Sequence, residues 1–293
     1  MNAIDEIIIR HIGIALNEDI GAGDITTLAT MDARTIRAEI IAKSDGVLAG
    51  LPVADAVLHT LDESIDVVHK IEDREGFKKG DSIVVYEGDA GAILTGERSA
   101  LNYLGHLSGI ASLTAQFVGK VEGTNTHILD TRKTTPGLRY LEKYAVTCGG
   151  GHNHRYGLYD MVLIKDNHIA ACGSITGAVE QVRKFTESDG FAESFGFQPD
   201  ELEIEIEIES EQQLEEAINC GVKRLLLDNR STEQLKNMVT KARSMADNLE
   251  LEASGNVTLD TVRQIAECGV DYISIGALTH SAKSSDFSLN IIS

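Results

Sequence analysis

Cysteine is scarce in this chain and placed where it can do little. Cys148, Cys172, Cys220 and Cys268 stand too far apart for a CxxC metal or redox pair, and nothing implies an oxidising compartment. Four buried thiols are expected. The N-terminus carries Asp5 and Glu6 in its first turn but no basic flank, long apolar core or small-residue cleavage site. A signal or transit peptide is therefore not expected, and the cytoplasm is the expected compartment. The GxxxxGK[ST] phosphate loop and the GxSxG nucleophile elbow are also missing, and GAGDIT at 21–26 neither follows a strand nor completes GxGxxG. These absences remove serine-hydrolase chemistry and the usual nucleotide-binding loops.

Positive charge is in short supply too. The formal net charge is −20, which excludes general binding to nucleic acid or to an anionic membrane, since both need a concentrated basic surface. Between Glu187 and Glu216 there is no base at all, whereas Arg132, Lys133, Arg139, Lys143, Arg155 and Lys165 crowd into one region with His152 and His154. An acidic protein with one cationic region points to a small anionic ligand. Bulk repulsion fades over about 8 Å at physiological salt, so nearby cations can dominate inside a cleft. A membrane span is not expected either. Ser99 to Gly119 has no charge except on His106, but Asn102, Ser108, Ser112, Thr114 and Gln116 dilute it, and its apolar residues fall on helical spacings.

With 293 residues and 42% hydrophobic content the chain can form one large domain or two ordinary ones. The first hundred residues read as mixed α/β: a helix through Ile4 to Leu16, strands near Thr35 to Ala42, Ser64 to Ile71 and Ser82 to Tyr86, then the uncharged helix. From His127 onward short apolar strands alternate with helices, at His127 to Leu129, Met161 to Ile164, Leu202 to Ile208, Arg224 to Leu227, Leu249 to Leu251 and Tyr272 to Ile275. This βα rhythm predicts a parallel sheet. Pro136 is placed in a first helical turn, Ser210 and Ser231 as N-caps, Gly221 and Gly269 as helix stops. Each strand ends in polar residues, and six such ends favour a small barrel with one converging rim over an open sheet. The strand ELEIEIEIES departs from the pattern. A strand covered on both faces reads continuously apolar, so one face of this one must be either solvated, as on an edge, or paired; Glu207, at its rim end, is taken into the site.

Phosphate must be held without the usual loops. The turns SGN at 254–256 and IGAL at 275–278 each follow a strand and can offer backbone N–H groups. CGGGHNHR at 148–155 invites a zinc reading through Cys148, His152, His154 and His168, but the spacing fits no standard finger. Three successive glycines allow instead a tight loop that aims His154 and Arg155 at an anion.

DTRKTTPGLR at 130–139, GGGHNHRYGLYD at 149–160 and LIKDNH at 163–168 resemble the quinolinate phosphoribosyltransferase family. The likeness runs in order from GERSALNYL at 96–104 through EIEIES, LLLDN and EASGN to ISIGALTHS at 273–281. It implies an N-terminal α/β sandwich over 1–110, joined by the tail 282–293, and a parallel α/β barrel of about six strands over 111–281. It implies that quinolinate and phosphoribosyl pyrophosphate, with Mg2+ and no organic cofactor, give nicotinate mononucleotide, pyrophosphate and CO2 in NAD synthesis. Thr131, Arg132, Lys133, His154, Arg155 and Lys165 would bind the anions, with Lys133 and Lys165 near the reacting groups. Glu207 and Asp228 would hold the ribose hydroxyls and the metal. Ser254, Gly255 and Asn256, with Ile275, Gly276 and Ala277, would take the 5′-phosphate. Arg98 would reach the site of a neighbouring subunit, in a homodimer or higher assembly. Arg230 departs from the family pattern, which has a bulky apolar residue there. Molybdenum-transport-associated relatives on the same fold, or a non-catalytic anion sensor, are the alternatives.

Overall fold

A computed structural model describes residues 3–196, 198 and 201–293. In chain order the elements are α1 (Ala3–Ile20), α2 (Ile25–Thr30), β1 (Thr35–Ala42), β2 (Gly46–Val47), α3 (Leu51–Leu61), β3 (Asp66–Lys70), β4 (Gly76–Phe77), β5 (Ser82–Asp89) and α4 (Ala90–Val121). There follow β6 (His127–Leu129), α5 (Arg139–Cys148), β7 (Val162–Ile164), α6 (Asp166–Cys172), α7 (Ile175–Thr186) and α8 (Phe191–Phe195). The chain continues through β8 (Ile204–Glu207), α9 (Glu211–Asn219), β9 (Arg224–Asp228) and α10 (Thr232–Met245). It ends with β10 (Glu250–Ser254), α11 (Val262–Ala266), β11 (Tyr272–Ser274), α12 (Ala277–His280) and β12 (Phe287–Ile291). These form two compact units: Met1–Ala115 with Lys133–Gly151 and Ala277–Ser293, and Gln116–Arg132 with His152–Gly276.

The first unit is built on an antiparallel sheet in the order β12-β1-β5-β3. In β1 the pleat sends Ile36, Ala38, Ile40 and Ala42 into the core while Arg37 faces out, the alternation expected of a sheet with one covered face. The C-terminal strand β12 returns to pair with β1, from Phe287 opposite Ala42 to Ile291 opposite Ala38. The serines that dilute α4 have partners: Ser108 Oγ accepts from the Ala49 amide at 3.1 Å and Ser112 Oγ from the Val47 amide at 2.9 Å. Its glycines admit the returning tail, since a Cβ on Gly109 would lie 2.2 Å from the Lys283 carbonyl. Among the described residues no helix is long and apolar enough to cross a membrane.

Residues 133–151, assigned to the barrel from sequence, group with this first unit. The buried Glu142 of α5 explains why: one carboxylate oxygen lies 2.9 Å from His106 Nε2 of α4 and the other accepts from the Thr135 amide at 3.1 Å. Pro136 does not open a helical turn; it sits in the preceding turn, three residues before α5 begins. The cysteine expectation is also corrected. Cys148 is buried, but Cys172 is exposed and Cys220 and Cys268 are half-buried, because they close helices at the surface; all four are free.

The second unit is the βα repeat. Its parallel sheet has six strands in the order β6-β11-β10-β9-β8-β7, and His152 bridges back to Leu129 beside β6. Ile128, Ile206, Leu225, Leu227, Leu251, Ala253 and Ile273 are all essentially buried on the sheet's helix-facing side. Each large one contributes about 1.5–3 kcal/mol through burial. The helices over them have the expected ends. Ser210 and Ser231 accept from the Gln213 and Gln234 amides, and Gly221 and Gly269 end helices at φ +75° and +91°.

Candidate active site

Parallel register fixes which residues share the other face of this sheet. Glu205 lies opposite Arg224, Glu207 opposite Leu226, Ser254 opposite Asp228 and Tyr272 opposite Glu252. Because side chains alternate along a strand, one face carries Glu205, Glu207, Arg224, Leu226, Asp228, Glu252, Ser254, Tyr272 and Ser274. Barrel interiors are usually filled by branched apolar side chains. Here charge occupies much of that space, around the buried Leu226. The ELEIEIEIES strand is therefore paired and not a solvated edge: β8 lies between β7 and β9, and Glu205 is fully buried.

At the C-terminal strand ends the predicted acids and bases meet. Lys165, which follows β7, places Nζ 2.9 Å from Glu207 Oε2 at the end of β8. Its backbone N–H donates to His168 Nδ1 at 3.0 Å, which occupies that imidazole locally. Asp228 ends β9; Ser254 Oγ donates to its Oδ1, and Asn229 Nδ2 to its Oδ2 at 2.6 Å. The SGN turn is tight at Gly255, where φ is +95° and a Cβ would lie 2.1 Å from Asn229 Oδ1. Asn229 and Asn256 are left-handed as well, at φ +51° and +52°. Ile275 donates its amide to the Leu129 carbonyl at 2.9 Å, and Gly276 follows it. Arg230 is half-buried, its Nη2 directed to the Ile208 carbonyl at 3.5 Å and its Nε buried without a partner.

On the other side of the rim are Thr131, Arg132, His154 and Arg155. Arg155 directs Nη1 to the Met161 carbonyl at 3.1 Å. Burial first, and then the charge of Arg132, lowers the Arg155 pKa. Arg132 is exposed and Arg155 half-buried, and two neighbouring guanidiniums offer the charge that a ligand with more than one negative charge takes. His154 is 9% exposed. Its amide donates to the buried Asp130 at 3.0 Å, its Nδ1 accepts from the Arg155 amide at 2.7 Å, and its Nε2 lies 3.0 Å from Glu205 and 3.5 Å from Glu252. Lys133, Ala277 and Arg98 belong to the first unit. There the Lys133 carbonyl accepts from Thr279 Oγ1 at 2.8 Å, Ala277 opens α12, and Arg98 is exposed on α4.

Beneath the rim lies a cluster that the sequence reading did not name. Arg224 donates to Glu252 Oε2 at 2.8 Å, approaches Glu205 at 3.4 Å and Glu203 at 3.3 Å, and stacks over Tyr272 at 4.6 Å. Burial, then the Glu205 charge, pushes Glu252 up to about 7. Glu205 is held below the usual carboxylate range in spite of burial, by His154 and Arg224. The strict alternation of β8 was the signal for Glu205. Glu252 reads from sequence as one of the polar strand ends of the rim, whereas Arg224 gave no signal, because a single charge at the start of a short strand reads as a surface residue.

Sequence models of the quinolinate phosphoribosyl transferase N-terminal and C-terminal domains match residues 24–108 and 110–290. The chain belongs to the quinolinate phosphoribosyltransferase family. It is 43% identical over 274 residues to the probable nicotinate-nucleotide pyrophosphorylase (carboxylating) of Bacillus subtilis, covering 94% of this chain and 90% of that one. It is 42% identical to the chloroplastic nicotinate-nucleotide pyrophosphorylase (carboxylating) of Oryza sativa subsp. japonica, over 96% of this chain and 76% of that one. The crystal structure described as NadC from Streptococcus pyogenes superposes with a TM-score of 0.89 at 38% identity, over 100% of this chain and 99% of that one. The nicotinate-nucleotide pyrophosphorylase structure from Francisella tularensis gives the same TM-score at 36% identity, over 98% and 96%. For a quinolinate phosphoribosyltransferase family member, the barrel rim with its cations, acids and two glycine turns is the candidate active site.

Glu207 and Asp228, on neighbouring strand ends, carry oxygen donors of the type Mg2+ takes, engaged here by Lys165, Ser254 and Asn229. The group His154, Glu205 and Glu252 is also close enough to share an ion, its donor atoms lying within 4.8 Å of one another. It does not fit one. The Arg155 amide needs a lone pair on His154 Nδ1, which leaves the ring proton on Nε2, the atom a metal would have to bind. Arg224 already neutralises one carboxylate charge there.

Proposed function

We propose that the protein transfers the phosphoribosyl group of phosphoribosyl pyrophosphate to the ring nitrogen of quinolinate and decarboxylates the product to nicotinate mononucleotide, in NAD synthesis. The observation that carries this reading is the Arg132 and Arg155 pair, whose mutual repulsion a dianion relieves, at the same rim as Glu207 and Asp228. Family membership supports the same substrates.

In this reading Arg132, Arg155 and Lys165 clamp the two adjacent carboxylates of quinolinate and hold its nitrogen toward the ribose. The nitrogen lone pair forms a bond to the ribosyl anomeric carbon while the bond from that carbon to pyrophosphate breaks, and its electrons leave with pyrophosphate. Glu207 and Asp228 bind the ribose hydroxyls and place negative charge where an oxocarbenium-like carbon develops. Lys133 offsets charge near the pyrophosphate. The turns at Ser254–Asn256 and Ile275–Ala277, with Thr131, hold the 5′-phosphate and ribose through backbone groups. The ribosylated ring nitrogen is cationic, so the electron pair left when the adjacent carboxylate departs as CO2 is stabilised within the ring, and that carbon then takes a proton. No organic cofactor is needed for this step. Mg2+, held by Glu207 and Asp228, would offset the charge of the diphosphate. Arg98 completes the site of a second copy of the chain in a homodimer or larger assembly, and the enzyme works in the cytoplasm.

The test is release of labelled CO2 from carboxyl-labelled quinolinate. Release that requires phosphoribosyl pyrophosphate is expected. Binding of quinolinate without any release would instead favour an anion sensor, and the absence of both would overturn the reading.

A further inference from the structure

Two buried glutamates, a buried histidine and an arginine inside a parallel barrel call for a reason, because apolar residues fill such space at lower cost. All four lie in one compact unit. Glu205 and Glu252 come from β8 and β10, and Arg224 of β9 lies between those strands with a contact to each. His154 comes from outside the sheet, on the glycine loop, and inserts its ring between the same two acids. Nδ1 accepts from the amide of the next residue, Arg155, and Nε2 lies within ion-pair distance of both acids, a contact of charge, since the Glu205 oxygens and Arg224 Nε are buried without a hydrogen-bond partner. The imidazole is thus a post that ties the loop to the sheet, and the residue tied next to it is a substrate cation of the proposed site.

We propose that Glu205 and Arg224 are positioning residues for quinolinate binding: Arg224 holds Glu205 in place, Glu205 holds His154, and the His154 ring fixes the backbone from which Arg155 reaches the substrate. This inference rests on the function proposed above, and it replaces a direct contact from His154 with an indirect one. The groups facing the ring are Glu205, Glu252 and the Arg155 amide, with Arg224, Glu203 and Tyr272 behind the acids. His154, Glu205, Arg224 and Glu252 are neutral as a group whether their shared proton sits on His154 or on Glu252. Against the cost of burial the acids raise the His154 pKa, but the Arg155 amide takes the Nδ1 lone pair and so places that proton on Glu252. Charge balance lets so many ionisable groups stay buried. The raised Glu252 pKa agrees with this proton count.

Glu205→Gln and Arg224→Gln are expected to raise the KM for quinolinate about tenfold while the KM for phosphoribosyl pyrophosphate stays within about twofold. Arg224→Lys, which keeps the charge, should recover most of the loss, and Glu205→Gln should lose more than Glu252→Gln, because Glu205 lies closer to His154 Nε2, at 3.0 Å against 3.5 Å. If a single variant does not fold, Glu205→Gln with Arg224→Gln removes one charge of each sign and keeps the cluster neutral, and the same KM split is expected. In the wild type, 15N spectra of labelled histidine, assigned with His154→Gln, should show Nδ1 of His154 without a proton. Parallel increases in both KM values, kinetics equal to wild type, or a proton on Nδ1 would overturn the proposal. A wild type that releases no CO2 from quinolinate would refute the functional reading instead, and the histidine spectrum would still judge this one.

Discussion

Lys165 and Glu207 form an ion pair with the lysine side chain 47% exposed, so the pair does little for stability and its removal is read in activity. Arg155, half-buried and repelled by Arg132, is in the same position. Each supplies a charge-assisted contact to a dianion, worth about 1.5–3 kcal/mol, so Lys165→Ala and Arg155→Ala should each lower kcat/KM for quinolinate roughly ten- to hundredfold. The thermal transition should not move. Near-normal kinetics in correctly folded variants would remove these residues from the pocket. Glu252 makes a different prediction. Its folded pKa is raised from 4.5 to about 7, so between those values the folded protein binds a proton that the unfolded chain has released. Stability from this residue is therefore lost as pH rises through that window. Glu252→Gln stays neutral in both states, so its thermal midpoint should rise relative to wild type between pH 5 and pH 8; a constant difference would show that Glu252 is ionised in the folded protein.

At the scale of an element, β8 and α10 show two ways in which local sequence fixes the site. In β8, isoleucines face the helices and glutamates face the barrel, so one short strand supplies both core and charge. Shifting its register by one residue would bury apolar side chains in the polar interior and turn the acids to the helices, which fixes Glu207 at the rim. The start of α10 lies just beyond the rim residues Asp228 and Asn229. Ser231 and Gln234 form a reciprocal capping box there, satisfying two otherwise unpaired amides. Ser231→Ala should cost about 1 kcal/mol in denaturant-induced unfolding with catalysis unchanged. A fall in activity without loss of stability would mean that the cap also sets the loop carrying Asn229 and Arg230.

At the scale of the whole molecule, the prediction concerns assembly. Arg98 is exposed on α4 in the first unit, remote in sequence from the barrel cations. If it completes the site of a second copy, Arg98→Ala and Lys165→Ala should each be impaired about tenfold or more, and mixing them should restore activity above that of either variant alone. In a mixed twofold dimer one site collects both defects and the other neither, so random exchange should recover roughly a quarter of wild-type sites. Mass spectrometry of tagged chains would confirm the exchange first. Verified mixed dimers without activity would assign Arg98 to its own chain.

The residues of the rim were legible before any fold was seen, because a strand end is a local event: Lys165, Glu207, Asp228 and Ser254 each follow a short apolar run, and a βα rhythm brings such ends together. Three strands of the antiparallel sheet were also placed from sequence, near Thr35 to Ala42, Ser64 to Ile71 and Ser82 to Tyr86, and the return of the C-terminal strand followed from the family likeness. What the tertiary structure decided was pairing. Whether the acidic face of β8 was wet or paired depended on Arg224, nineteen positions on from Glu205, and on His154 from a distant glycine loop. The same holds for residues 133–151, whose place in the first unit follows from the partners of Glu142, and for the proton that three buried acids and bases share. Local periodicity reports which way a side chain points, but a buried charge is tolerable only with its counter-charge, and that partner is chosen by the fold.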